Sequence, residues 1–166
     1  MHDTNYDTKA FWLSVGGFFT VSIVGTFAHF LYNISGGNFI VGLLTPISEA
    51  PFEHLKLLFF PFVLWSLLEY GIYGRQIKGF WFLKALSVTI GMIFTIGTFY
   101  IYSSVLGHPI LSVDILLFLI SVLMAFGFSL LGLLSEKFAN KKSDWIGTGL
   151  LIFEALIFWI VTIISL

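Results

Sequence analysis

Residues 11–32, FWLSVGGFFTVSIVGTFAHFLY, run for 22 positions without an aspartate, glutamate, lysine or arginine. About 20 apolar residues suffice for an α-helix to cross the hydrocarbon of a bilayer. The run is too long for a signal-peptide core and no small-residue cleavage pattern follows it, so it reads as a retained first membrane helix. Strands are excluded, because apolar and polar residues do not alternate.

Working outward, the pattern returns at residues 52–73, 80–102, 112–134 and 145–166. The expected fold is therefore all-α: one integral membrane bundle of five transmembrane helices filling residues 1–166. The connections carry the opposite chemistry. Residues 33–47 are rich in Gly and Asn, 74–79 read GRQIKG, 107–109 read GHP, and 136–144 are charged. Ser48 is the expected cap of the second helix, with Pro51 in its first turn, where a missing N–H does no harm. Pro61 lies deeper and is expected to kink that helix.

Composition points the same way. Of the 166 residues 58% are hydrophobic and only 10% charged, against about 25% charged in a soluble domain. A net charge of −1 offers no basic face to nucleic acid. With no cysteine, thiolate zinc sites and iron–sulfur clusters are excluded, so metal ligands must come from His, Asp and Glu.

If five helices alternate, Lys9, Arg75, Lys78, Lys84, Lys137, Lys141 and Lys142 fall on one side and Lys56 alone on the other. Basic residues favour the cytoplasmic side. The N-terminus is thus expected inside and the C-terminus outside, in a multi-pass protein of the cell membrane.

The outer end then collects the unusual residues. Ser48 to Lys56, SEAPFEHLK, opens the second span, with His29 near the end of the first, His108 in an outer loop and Asp114 at the start of the fourth. Ionisable groups at membrane depth are costly and mark candidate sites. On a continuous helix Glu49, Glu53, Lys56 and Phe60 share one face, with His54 about 100° from Glu53. Two carboxylates at i, i+4 repel, so Lys56, the helix N-terminus, a shared proton or a divalent metal ion must offset them. The candidate metal ligands are His29, Glu49, Glu53, His54 and Asp114. The candidate catalytic residues are Glu49, Glu53, His54 and Lys56, with a carboxylate as acid or base and Lys56 steadying negative charge.

Each residue also has a plainer reading. Glu49 and Glu53 can compensate a helix dipole, Lys56 can snorkel outward or pair with Glu53, and His29 can be a hydrogen-bonded packing residue. Glu69 sits near the inner boundary, and Glu154 is deep enough to need a protonated, hydrogen-bonded carboxyl. Ser22, Gly25, Thr26, His29 and Asn33 form a small, polar stripe on the first helix. Asp114, Ser121, Ala125 and Gly132 form another on the fourth. Such stripes let membrane helices approach closely, so both are expected to face the interior.

The segments His29-Phe30-Leu31-Tyr32, Ser35-Gly36, Ser48 to Lys56, Phe59-Phe60-Pro61 and Val113-Asp114-Ile115 resemble a family of small prokaryotic multi-spanning membrane proteins classed as a domain of unknown function. That family's central motif is close to Asn-Glu-Ser-x-Trp-Glu-His-x-Lys. Ser48, Ala50 and Phe52 depart from its Asn, Ser and Trp. The resemblance implies the fold and topology and supplies no activity.

Three functions stay open. An outward-facing pocket would bind a cation or small polar ligand, or act on a lipid head group. Alternatively, Glu154, the kinked helix and the outer cluster would mark a proton or ion path, for which a homo-oligomer would be needed. A third option is a structural or accessory subunit, embedded in the lipid bilayer, whose polar groups only fix helix packing.

Overall fold

The computed structural model describes residues 4–134 and 141–166. Its long helices are α1 (Thr4–Ile34), α4 (Lys56–Ile72), α5 (Phe80–Leu106), α6 (Leu111–Leu134) and α7 (Lys141–Ser165). Two short helices, α2 (Phe39–Leu44) and α3 (Pro51–His54), lie between α1 and α4. Among the described residues there is no strand. Five segments are long and apolar enough to cross a membrane, α3 and α4 together forming the second of them, Pro51–Ile72. The chain is a multi-pass membrane protein.

The helices alternate in direction. One end of the bundle gathers the C-terminus of α1, helices α2 and α3, the 107–110 turn and the C-terminus of α7. The other holds Lys9, the Arg75 turn and the start of α7. Below, these are the motif end and the basic end. Lys137, and the 136–140 part of the expected charged loop, lie outside the described residues.

Helix α1 packs against α4 and α6, and α5 against α4, α6 and α7. Leu58, Phe59, Phe62, Val88, Val122, Ala125, Phe126 and Phe158 fill the centre. Phe27, Ile93, Val105 and Ile164 point outward, as expected where lipid is the solvent. Trp12 and Trp145, exposed at the basic end, sit where an aromatic belt meets the membrane interface.

The small-residue stripes face the interior only in part. Ser22, Gly25, Ser121 and Ala125 are buried, whereas Thr26 and Asn33 are exposed. A Cβ on Gly25 would lie 2.6 Å from the Leu57 carbonyl oxygen. Pro61 has no N–H for that carbonyl, so a bare glycine of α1 approaches it instead. The regular helix runs through Pro61, and its interruption falls at Leu55, between α3 and α4.

Asp144 ties the basic end together. Its carboxylate accepts from the Gly79 amide at 2.9 Å and the Trp81 amide at 3.0 Å. An acidic residue of α7 thereby caps α5, which lacks a side-chain cap of its own.

Candidate functional site

The motif residues divide between two environments because the second span does not start as one helix. Pro51 occupies the first turn of α3, and Ala50 before it is extended (φ −63°, ψ 132°). Glu49 is therefore outside the helix and shares no face with Glu53, contrary to the expected i, i+4 pair. Ser48 is not the cap. It is Ala50 that holds the cap position, and the Ser48 hydroxyl accepts from the Ala50 amide at 3.4 Å.

The outer cluster consists of His29, Glu49 and His54. His54 Nε2 lies 3.4 Å from Glu49 Oε2, and His29 Nε2 lies 3.8 Å from Glu49 Oε1. The two imidazole rings have centroids 5.1 Å apart, and one ligand atom from each of the three residues lies within 4.8 Å of the others. The Glu49 side chain is 85% exposed and each histidine 29%. His54 Nδ1 is 3.0 Å from the Ala50 carbonyl oxygen. That carbonyl, which also accepts from the Glu53 amide at 2.9 Å, can receive only an N–H, so the contact favours a proton on Nδ1 and turns Nε2 towards Glu49.

The inner cluster is a clamp around Lys56. The Lys56 ammonium, fully buried, donates to Glu53 Oε2 at 2.6 Å, the Gly42 carbonyl at 3.0 Å, the Thr45 carbonyl at 3.4 Å and the Thr162 hydroxyl. Glu53 Oε2 also accepts from the Ile47 amide at 3.1 Å. Lys56 thus ties the last carbonyls of α2, the α3 turn and α7 together. It pairs with Glu53, as one sequence reading had it, and does not snorkel: α2 and α7 close over it.

Both arrangements depend on the 35–47 loop. Gly36 and Gly37 take the left-handed region (φ 70° and 76°), which glycine adopts without steric cost. Asn38 then caps α2, its side-chain oxygen accepting from Ile40 at 2.9 Å and Val41 at 3.4 Å. The chain returns over the bundle and lays α2 against α7.

Two sequence-selected residues lie apart from both clusters. Asp114 accepts from the Tyr102 hydroxyl, which itself accepts from the Ile110 amide at 3.2 Å. It fastens α6 to α5 and takes no place in the His29–Glu49–His54 group. Glu53 is likewise committed to Lys56. Of the five candidate metal ligands, three come together. His108 is exposed in its turn, with Nδ1 3.2 Å from the Pro109 carbonyl.

A second buried ion pair escapes sequence reading. Lys84 pairs with Glu69, and both side chains are fully buried. The Lys84 ammonium also stands 5.3–5.8 Å from the ring centroids of Phe80, Phe62 and Phe126, a desolvated cation–π arrangement. Tyr73 closes the site: burial first, then the neighbouring Glu69 carboxylate, push its phenol up. Lys84 is consequently no cytoplasmic loop charge. The signal was present: Glu69 lies five residues before Gly74 and Lys84 five after Gly79, so an antiparallel hairpin sets them at one depth.

A five-span helical bundle with buried ion pairs towards both ends, and two half-buried imidazoles beside an exposed carboxylate at one, defines a class: polytopic membrane proteins with ionisable groups in the helix-packing region. Within that class the chain belongs to a family of unknown function, DUF6512, whose model matches residues 1–165. No curated protein and no solved structure matches the chain.

Proposed function

We propose that this is a cell-membrane protein whose motif end faces outward and binds a divalent transition-metal cation through His29, Glu49 and His54. One observation carries the reading. With Nδ1 donating to Ala50, His54 Nε2 faces a carboxylate oxygen 3.4 Å away, a contact that needs a proton or a metal cation between the two atoms, and His29 Nε2 stands 3.8 Å from the other oxygen of the same carboxylate, completing a three-ligand set. Metal–ligand bonds of about 2.0–2.2 Å separate tetrahedral ligand atoms by roughly 3.4 Å. Imidazole with carboxylate suits zinc and its neighbours, and the Ala50 carbonyl is the kind of outer partner that orients a ligating histidine. Three protein ligands at an exposed site leave a position for water or a small polar ligand.

The outward orientation rests on the basic residues. Lys84 and Lys56 are both buried and paired, so neither counts as a loop charge. Among the described residues, Lys9, Arg75, Lys78, Lys141 and Lys142 all belong to the basic end. Transport is the weaker reading. On α7, Phe158 stands between Thr162 and Glu154, packed against Phe52, Phe59 and Phe60 at centroid distances of 5.1, 5.2 and 6.0 Å. That apolar plug interrupts a polar track.

The test is zinc stoichiometry of the purified protein after loading and dialysis. One equivalent is expected for the wild type, with loss in His29→Ala and His54→Ala. Binding should weaken as pH falls, because protons compete for the imidazoles. Stoichiometric zinc that survives both histidine replacements, or none in the wild type, would refute the site.

A further inference from the structure

We propose that Glu154 is a proton-binding site within the membrane, its carboxyl protonated and donating to Thr89. Among the described residues three glutamates are buried: Glu53, Glu69 and Glu154. Glu53 and Glu69 each have a lysine at ion-pairing distance, and among the described residues Glu154 has none. An ionised carboxylate without a counter-ion at that depth is strongly disfavoured.

The hydrogen-bond geometry selects the protonated form independently. Thr89 Oγ1 lies 2.6 Å from Glu154 Oε1 and 2.8 Å from the Ala85 carbonyl oxygen. A threonine hydroxyl has one proton. If Glu154 were ionised, two acceptors would compete for that proton. With the proton on Oε1 the contacts form a chain in which the carboxyl O–H donates to Thr89 and Thr89 donates to Ala85. Glu154 Oε2, buried without a partner, is then a neutral carbonyl oxygen, which tolerates an apolar setting far better than half of a carboxylate.

The surrounding charges do not alter this assignment. Helix α5 presents Lys84, Tyr100 and Tyr102 as titratable groups. Lys84 is held by Glu69, Tyr102 by Asp114, and Tyr100 is exposed. Helix α2 has no titratable residue. On α4, Lys56 and Glu69 are paired, and Tyr70 stacks on Phe80 and Trp81. Asp144, on α7 itself, caps α5.

The proposal predicts a covalent signature. A protonated carboxyl adds across the carbon–nitrogen double bond of a membrane-soluble carbodiimide. Its oxygen bonds to the central carbon and its proton passes to nitrogen. Acyl transfer from oxygen to nitrogen then leaves a stable N-acylurea, so the adduct is the sum of both reactants.

The deciding measurement is the infrared carbonyl stretch of protonated carboxyl groups, taken on protein in lipid at neutral and mildly alkaline pH. A band at the position of a carbonyl without a hydrogen bond is expected. It should vanish in Glu154→Gln and move in Thr89→Val, where the acceptor of the acid proton is lost. Dicyclohexylcarbodiimide should mark Glu154 in the wild type and leave Glu53 and Glu69 unlabelled by peptide mass spectrometry. Identical carbonyl bands in wild type and Glu154→Gln would overturn the proposal. So would labelling of Glu53 or Glu69 in preference to Glu154.

Discussion

Glu53 and His54 are consecutive residues on a single turn, and their side chains serve separate environments. Glu53 turns into the bundle, 2.6 Å from the Lys56 ammonium, while His54 turns outward, 3.4 Å from Glu49. The division follows from helical geometry, since neighbours on a helix point about 100° apart. A four-residue helix therefore links the partly exposed His29–Glu49–His54 cluster to a buried clamp.

The clamp can be broken from one side or removed entirely. Lys56→Met strands a buried carboxylate and should cost about 3–5 kcal/mol, read as thermal unfolding in detergent. Replacing both partners, Lys56→Met with Glu53→Leu, should recover much of that loss because no charge is left unpaired. A double variant as unstable as the sum of the single variants would mean the two residues do not interact.

The Lys84–Glu69 pair should behave as an independent unit. Lys84→Met should destabilise by a similar amount, about 3–5 kcal/mol, and Lys84→Met with Glu69→Met by less. Combined with Lys56→Met, the losses should add to within about 0.5 kcal/mol, as for distant sites. Strong non-additivity would reveal a link between the two ends of the bundle.

At the basic end, Asp144→Ala removes the acceptor of two amides and should cost about 0.5–2 kcal/mol, the range for a lost helix cap. Gly147→Ala is the sharper probe. Its new methyl group would press on the backbone at Trp81 and Phe82, an overpacking worth about 1–3 kcal/mol. Gly149→Ala, two residues on with open space around it, is the control and should be close to neutral. Equal stability of the two alanine variants would contradict the close approach of α5 and α7.

Orientation has its own measurement. A reporter active only outside the cytoplasm, fused after Leu166, should be active, and one active only in the cytoplasm should be silent. The reverse pattern would put the His29–Glu49–His54 cluster in the cytoplasm.

What the sequence determined by itself was the set of spans. A run such as residues 11–32 is long because the hydrocarbon is thick, and helices are the form in which a single run satisfies its backbone within lipid. The motif at residues 48–56 was also visible as a concentration of ionisable groups where a span begins. Its division was not. Extending the helix back through Glu49 predicts a shared face with Glu53, but Pro51 as the first helical residue leaves Glu49 on extended backbone. The Glu53–Lys56 pair, three residues apart on the chain, was among the sequence readings, but the long-range partners were decided by tertiary structure. Lys56 is buried because α2 folds back and α7 closes over it, bringing Gly42 and Thr162 to an ammonium distant from both in sequence. Asp114 went to Tyr102, and Thr89 to Glu154, for the same reason. Periodicity sets the direction in which a side chain points on its own helix, and the packing of helices sets what stands opposite it.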